Sequence, residues 1–418
     1  MSSSFKFIKD FAPLWENKRF IYLWSARLIS RFGSALSYII LLWITFTNTG
    51  SAIDVAYVGL AGFLPSISIG IFSGTLVDRL DRRRVLIFSN LARSIAMGML
   101  VTALYFSGFN LSFILIAVIV FSICSTFFGP GSMAFLPEIV QPENLADANG
   151  IFDSTESVAG IVGFAMAGVL ILTIGSISTL AIDATSWLIA TLFFTLIGNT
   201  VTTTKTQSDS ESLFSQVREG LSYLRDNTGL LELTITAMVL NFLFAFVLVF
   251  LVIYSIDFLH GNALVYAILE ALLAAGWGIG GLLVGRLKLT KHTGRIWIYS
   301  AFFQGGTVVI LSLSPILLIA LPIFFMLGIM QGILGVTWLS TVQAVVPERL
   351  HGRYFAIDNM VSVAAIPIAQ IAGAILIVAS SISFTFLVAG VASLIAGAFF
   401  LSFGALKKFG YEPENQSK

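Results

Sequence analysis

The chain has 418 residues, of which 57% are hydrophobic and 11% charged, with mean hydropathy +0.94 and formal net charge +1. So much apolar surface exceeds what one soluble core can hide, and lipid is the expected solvent. The near-neutral balance excludes a nucleic-acid partner, which would need a basic surplus on one face.

Lys6, Lys9 and Lys18 precede the first apolar run, and no small-residue cleavage site follows its start, so the run is expected to stay as a spanning helix. Runs long enough to cross a bilayer fall near 20–47, 53–77, 85–107, 111–136, 150–174, 177–199, 231–256, 263–286, 296–313, 316–343, 354–379 and 382–406. They predict an all-α membrane protein with twelve transmembrane helices, numbered in that order. The connections at 48–52, 108–110, 175–176, 257–262, 314–315 and 380–381 hold no Lys or Arg, whereas every basic residue except Arg27, Arg31 and Arg93 lies on the other side. The positive-inside rule then makes both termini and the central loop cytoplasmic, in a multi-pass protein of the cell membrane. Cys124 sits inside an apolar run and reads as a packing residue.

The longest polar interval divides the chain near its middle. Thr200-Val-Thr-Thr-Thr-Lys205-Thr-Gln-Ser-Asp-Ser reads as flexible linker, and Leu213, Val217, Leu221 and Leu224 at helical spacing read as an amphipathic surface helix. The expected organisation is a tail at 1–19, a six-helix bundle at 20–199, a linker at 200–230, a second bundle at 231–406 and a tail at 407–418. Gly74-Thr-Leu-Val-Asp78-Arg79-Leu80 is echoed by Gly281-Leu-Leu-Val-Gly285-Arg286-Leu287, about half a chain later. Pro137-Glu138 is echoed in the same way by Pro347-Glu348. Two echoes at nearly one offset predict parallel repeats about an axis along the membrane normal.

Between helices 2 and 3 the segment from Asp78 to Arg84 holds four arginines and two aspartates, a charge density that belongs to a turn at the membrane surface. Gly74, Asp78, Arg79, Arg82 and Arg83 fill the places of a Gly, an acid-base pair and two further bases. In this the chain resembles the major facilitator superfamily along its whole length, with Asp81 where many members carry a second Gly. Leu136-Pro137-Glu138, Asn144-Leu145, Ala148-Asn149, Glu219-Gly220-Leu221, Tyr223-Leu224-Arg225, and Gln343 through Pro347 to Gly352-Arg353 are similar to the branch of macrolide-efflux and siderophore-export proteins. The resemblance implies the major facilitator fold of two pseudo-symmetric six-helix bundles. It also implies a secondary transporter, expected as a monomer, that exports amphipathic drug-like compounds by alternating access. Export of an endogenous metabolite such as a siderophore, then proton-coupled uptake, are the alternatives.

In such a protein the turn acts as a conformational latch built from Gly74, Asp78, Arg79, Arg82 and Arg83. Gly74 allows close helix approach, and Asp78 suits the amides of a helix N-terminus. Asp358 and Glu138 are the candidate carboxylate partners for Arg82 and Arg83 on the same membrane face. The alternative reading of the turn is a solvated loop that only sets topology.

Ionisable residues within spans are costly unless paired or hydrated. Helix 1 carries Arg27 and Arg31, helix 3 Arg93, helix 5 Asp153 and Glu156, helix 6 Asp183 and helix 8 Glu270. The resemblance places helices 3, 6, 9 and 12 outside the central cavity, which favours Arg31, Glu156 and Glu270 as functional and Arg93 and Asp183 as structural. Arg31 lies about 16 Å into the span from Phe20, and a pair between Arg31 or Arg27 and Glu156 is expected. Glu270, about 10 Å from the outer face, has no base at its depth in helix 7 or 8. Glu270, Glu156 and Asp153 are therefore the proton-coupling candidates of an antiporter, since burial moves carboxyl groups towards exchange near neutrality. Gly160-Ile-Val-Gly163-Phe164-Ala-Met-Ala167-Gly168 keeps the glycine spacing of the superfamily's antiporter motif but has Phe164 for its Pro.

Asn241, Phe242 and Phe246 of helix 7, with Gln331, Trp338 and Gln343 of helix 10, are the candidate wall for a bulky, partly apolar solute, against the plainer reading of a packing stripe. His260, His292 and His351 are scattered over three loops and no phosphate-binding Gly-rich loop occurs, so neither a metal site, a cofactor nor an enzyme is expected. The partners are a small-molecule substrate, protons and the bilayer.

Overall fold

A computed structural model describes residues 12–198, 213–347 and 350–410. Every regular element among them is helical. The twelve long helices are α1 (Lys18–Thr49), α2 (Ala52–Arg79), α3 (Arg82–Ser107), α4 (Leu111–Phe135), α5 (Leu145–Ile174), α6 (Ser176–Leu196), α7 (Thr228–Val249), α8 (Ala263–Leu287), α9 (Thr293–Leu313), α10 (Leu317–Val345), α11 (His351–Ala379) and α12 (Ile382–Phe400). Eleven of them are long and apolar enough to cross a membrane, and α11 contributes the apolar stretch Ala365–Ala379.

Polar caps set where these apolar helices start, because the first amides of a helix need acceptors even at a membrane surface. The Asn17 side chain accepts from the Arg19 and Phe20 amides at 3.0 and 3.3 Å. Asn262 does the same for α8, accepting from Leu264 and Val265 at 3.0 and 3.3 Å. Asp81, the departure from the superfamily's usual Gly, is the N-cap of α3 and accepts from the Arg84 amide at 3.1 Å. Gly50, at φ 60°, ends α1 in the left-handed region, so that α2 starts two residues later.

Two compact units divide the chain. One comprises residues up to Gly50 and from Leu60 through α6; the other comprises Ser51–Gly59 and the chain from the linker helix onward. In the first unit α1 packs on α5 and α6, and α3 on α4 and α6. In the second α7 packs on α11 and α12, and α9 on α10 and α12. Each pairing recurs six helices later, which is the packing signature of the duplication read from the two echoed segments.

Within the second unit α8 and α10 meet backbone to backbone. A Cβ at Gly276, Gly280, Gly328 or Gly332 would run into the carbonyl oxygen of Phe325, Ile329, Leu273 or Trp277 respectively. Glycine is what permits so close an approach, and lipid-embedded helices gain packing energy from it.

The linker helix, Leu213–Asp226, packs on α11 and α7. Leu224 is buried with Leu230, Val342, Val346, Leu350 and Tyr354, and the Tyr223 hydroxyl donates to the Val345 carbonyl at 3.3 Å. Beyond α12, a turn at Leu406–Lys408 docks on the same unit. The Leu406 amide donates to Glu232 Oε2 at 2.6 Å, and the Gly294 amide to the Phe409 carbonyl at 2.9 Å. A charge-assisted bond of this kind contributes about 2 kcal/mol. Glu232→Ala is therefore expected to speed tryptic cleavage at Lys407 and Lys408 at least about tenfold with little change in global melting. Unchanged cleavage kinetics would show that Glu232 does not hold the tail.

The α7 chain continues through Leu251–Ile253 into a π turn at Tyr254–Phe258, where the Leu259 amide reaches the Tyr254 carbonyl at 3.0 Å. Tyr254 is fully buried, stacks on Phe386 at 4.8 Å and donates its hydroxyl to the Leu311 carbonyl at 3.2 Å.

Candidate functional site

Helices α1 and α5 form a ladder of facing residues whose numbers rise together along the seam. Trp24 Nε1 donates to Thr155 Oγ1 at 3.0 Å. At the next rung Arg27 Nε donates to Glu156 Oε1 at 2.6 Å, a second guanidinium nitrogen completes an ion pair, and the guanidinium lies 4.4 Å from the centre of the Phe152 ring. One turn on, the Arg31 guanidinium lies over Gly160, where a Cβ would come within 3.2 Å of its terminal nitrogen. Further on, Gly163 faces Phe32 and Ala35, and Tyr38 meets Phe164 edge to face at 6.0 Å. Of the two arginines weighed for Glu156, Arg27 makes the bond; it is 9% exposed, whereas Arg31 is exposed. Among the described residues no carboxylate pairs with Arg31 or, in turn, a base with exposed Asp153.

At the basic end of the first unit, Arg82 donates to Glu138 Oε1 at 2.8 Å and to the Ala134 carbonyl at 3.0 Å, tying α3 to the end of α4. Arg83 donates to the Phe194 and Thr195 carbonyls at 3.1 and 2.6 Å, where the end of α6 presents unsatisfied oxygens. The side chains of Asp78, Arg79 and Asp358, and the surroundings of Gly74, lie outside the described residues. So does Glu348 of the second echo.

In the second unit Glu270 of α8 is 4% exposed, and its Oε1 has no hydrogen-bond partner among the described residues. No ion pair reaches it among the described residues. Phe246 of α7 and Phe250 just beyond its end are buried and press on Gly373 of α11, while Phe242 and Asn241 are half-buried. On α10, Gln331 is half-buried, Trp338 packs in the core beside Leu334 and Leu230, and Gln343, about 18 Å along the helix from Gln331, is exposed.

The model of the transmembrane secretion effector family of the major facilitator superfamily matches residues 8–417, almost the whole chain. The chain belongs to this family. The transporter is 27% identical over 384 residues to macrolide efflux protein A of Streptococcus pyogenes, covering 90% of this chain and 93% of that protein. It is 25% identical over 410 residues to multidrug efflux pump Tap of Mycobacterium tuberculosis (strain ATCC 25618 / H37Rv), covering 93% and 94%. Among solved structures, nucleoside transporter NupG matches with TM-score 0.71 at 14% identity, over 91% of this chain and 98% of that one. A bacterial homologue of the human lysosomal transporter Spinster matches with TM-score 0.67 at 15% identity, over 95% and 99%. These likenesses show the fold, as the motif between helices 2 and 3 implied.

Two features of this transporter escaped sequence reasoning. A buried polar seam joins α1, α3 and α6: Ser30 bonds Asn90 at 2.9 Å, Ser37 donates to Asp183, and Ser94 donates to the Ala184 carbonyl at 2.7 Å. Arg93, 2% exposed, sits in an aromatic cage 4.9–5.4 Å from the rings of Phe128, Phe121 and Trp187. The second is Gln370 of α11, completely buried against Gly59, with neither amide atom bonded among the described residues. Its one signal was a lone amide in an apolar run.

Proposed function

We propose that this transporter exports amphipathic, drug-like compounds of the macrolide type across the cell membrane, working as a monomer by alternating access with protons entering in exchange. Its efflux-type relatives support the direction. The observation that carries the coupling is Glu270: a carboxyl with neither a base nor a hydrogen bond at its Oε1 among the described residues is expensive as an anion in a span, so it takes up a proton and releases it when water or a competing solute reaches it. Glu156 and Asp153 are secondary candidates, the first already neutralised by Arg27. The two bundles, 20–199 and 231–406, are the moving parts, with cytoplasmic termini. Arg82, Arg83 and Glu138 stiffen the cytoplasmic end of the first bundle, and Gly74, Asp78, Arg79 and Asp358 complete the latch.

The test is purified protein in proteoliposomes loaded with radiolabelled erythromycin. Acidifying the outside should speed its exit several-fold, and a protonophore should abolish the gain. Exit indifferent to the gradient removes proton antiport; absence of erythromycin movement removes the macrolide reading. Export of an acidic endogenous metabolite such as a siderophore is the second reading, favoured by the uncommitted charge of Arg31.

A further inference from the structure

We infer that Arg31 is the recognition point for an acidic group on the transported solute, so that amphipathic carboxylates are among the compounds this protein binds. The inference rests on the transport reading above and names a chemical class for it.

A guanidinium near the middle of a membrane span needs a counter-charge or water. Arg27, one turn earlier on the same face, has both a carboxylate and an aromatic ring. Among the described residues Arg31 has neither, and the residue opposite it on α5 is Gly160, whose missing side chain lets the guanidinium lie directly on the helix backbone. Snorkelling back towards the basic end would relieve an arginine of this kind. Contact with Gly160, one turn beyond Glu156, instead holds the charged head at its own depth. The exposed face of Arg31 is accordingly its wet face.

The surroundings supply the rest of a recognition site. Tyr38, exposed, and Phe164 stand together about 10 Å further along the seam. A planar fork with free donors matches a carboxylate bidentately, and the aromatic pair suits the apolar body attached to it. Glu156, the nearest acid on α5 with a settled role, is committed to Arg27 and does not compete.

The test compares 1-naphthylacetate with its neutral isostere 1-naphthylacetamide by titration calorimetry on the purified full-length protein. On the parent protein the acid should bind at least about tenfold more tightly than the amide. Arg31→Gln should reduce the acid to the level of the amide, and Arg31→Lys, which keeps the charge without the fork, should retain part of the preference. Equal binding of acid and amide by the parent, or a preference that survives in Arg31→Gln, would overturn the assignment. Should Arg31→Gln fail to fold, the parent comparison and Arg31→Lys decide alone: a lysine variant with the full preference of the parent removes the fork, and a parent without preference removes the site. Equilibrium binding needs no gradient, so a negative result leaves proton exchange standing, and loss of gradient-driven efflux leaves this result untouched.

Discussion

Glu270→Gln is expected to abolish erythromycin efflux driven by an imposed proton gradient while leaving counterflow of the labelled compound intact. Glutamine keeps the shape of the side chain and its capacity to accept a hydrogen bond, and removes only the exchangeable proton. Because Glu270 is 4% exposed and no ion pair reaches it among the described residues, its replacement breaks no salt bridge, and the variant should fold. Glu156→Gln differs in this respect, since it strands the Arg27 guanidinium at the α1–α5 seam. The measurement is paired transport in proteoliposomes with and without the gradient, at matched protein content. Active efflux by Glu270→Gln at the parental rate would move the coupling site elsewhere, and loss of counterflow as well would make Glu270 a structural or solute-binding group.

Gly280→Leu should prevent accumulation of folded protein. A Cβ there would collide with the Ile329 carbonyl, a backbone atom that cannot swing aside, and the rest of the leucine has no room behind it. Forcing α8 and α10 apart forfeits contacts along the whole seam, at a cost of about 3 kcal/mol. Gly278, two residues away on the same helix, has nothing within 4 Å of where a Cβ would stand, so Gly278→Leu is the matched control and should accumulate normally. Detergent-extracted yield and monodispersity by size-exclusion chromatography distinguish the two. Equal yields would mean that the seam opens at little cost.

Much of the fold was readable because its signals are repetitive. Twelve apolar runs, one-sided lysines and two echoes at nearly one offset each reported the same architecture, and the pairing of α1 with α5 returns as α7 with α11. The site was less readable. Spacing put Arg27 and Arg31 on one face of α1, but which of them meets Glu156 depends on the axial register of α5, and no single-chain pattern encodes that. The stripe Phe242, Phe246 and Phe250 has the same spacing whether it lines a cavity or packs on a neighbour, and the burial of Phe246 and Phe250 against Gly373 depends on a residue more than a hundred positions away. Asp81 looked like a departure from a motif and is a helix cap, a role set by the Arg84 amide three residues later.

The π turn at Tyr254–Phe258, which closes the segment that continues α7 beyond Phe250, holds one residue more than an α turn. A chain one residue shorter there would close into plain α-helix, and the side chains from the deletion to His260 would swing by about 100° around the axis. The aim of Asp257 and Phe258 therefore depends on chain length at this point as much as on residue identity. Deletions and insertions, more than substitutions, are the changes to which this end of α7 is sensitive.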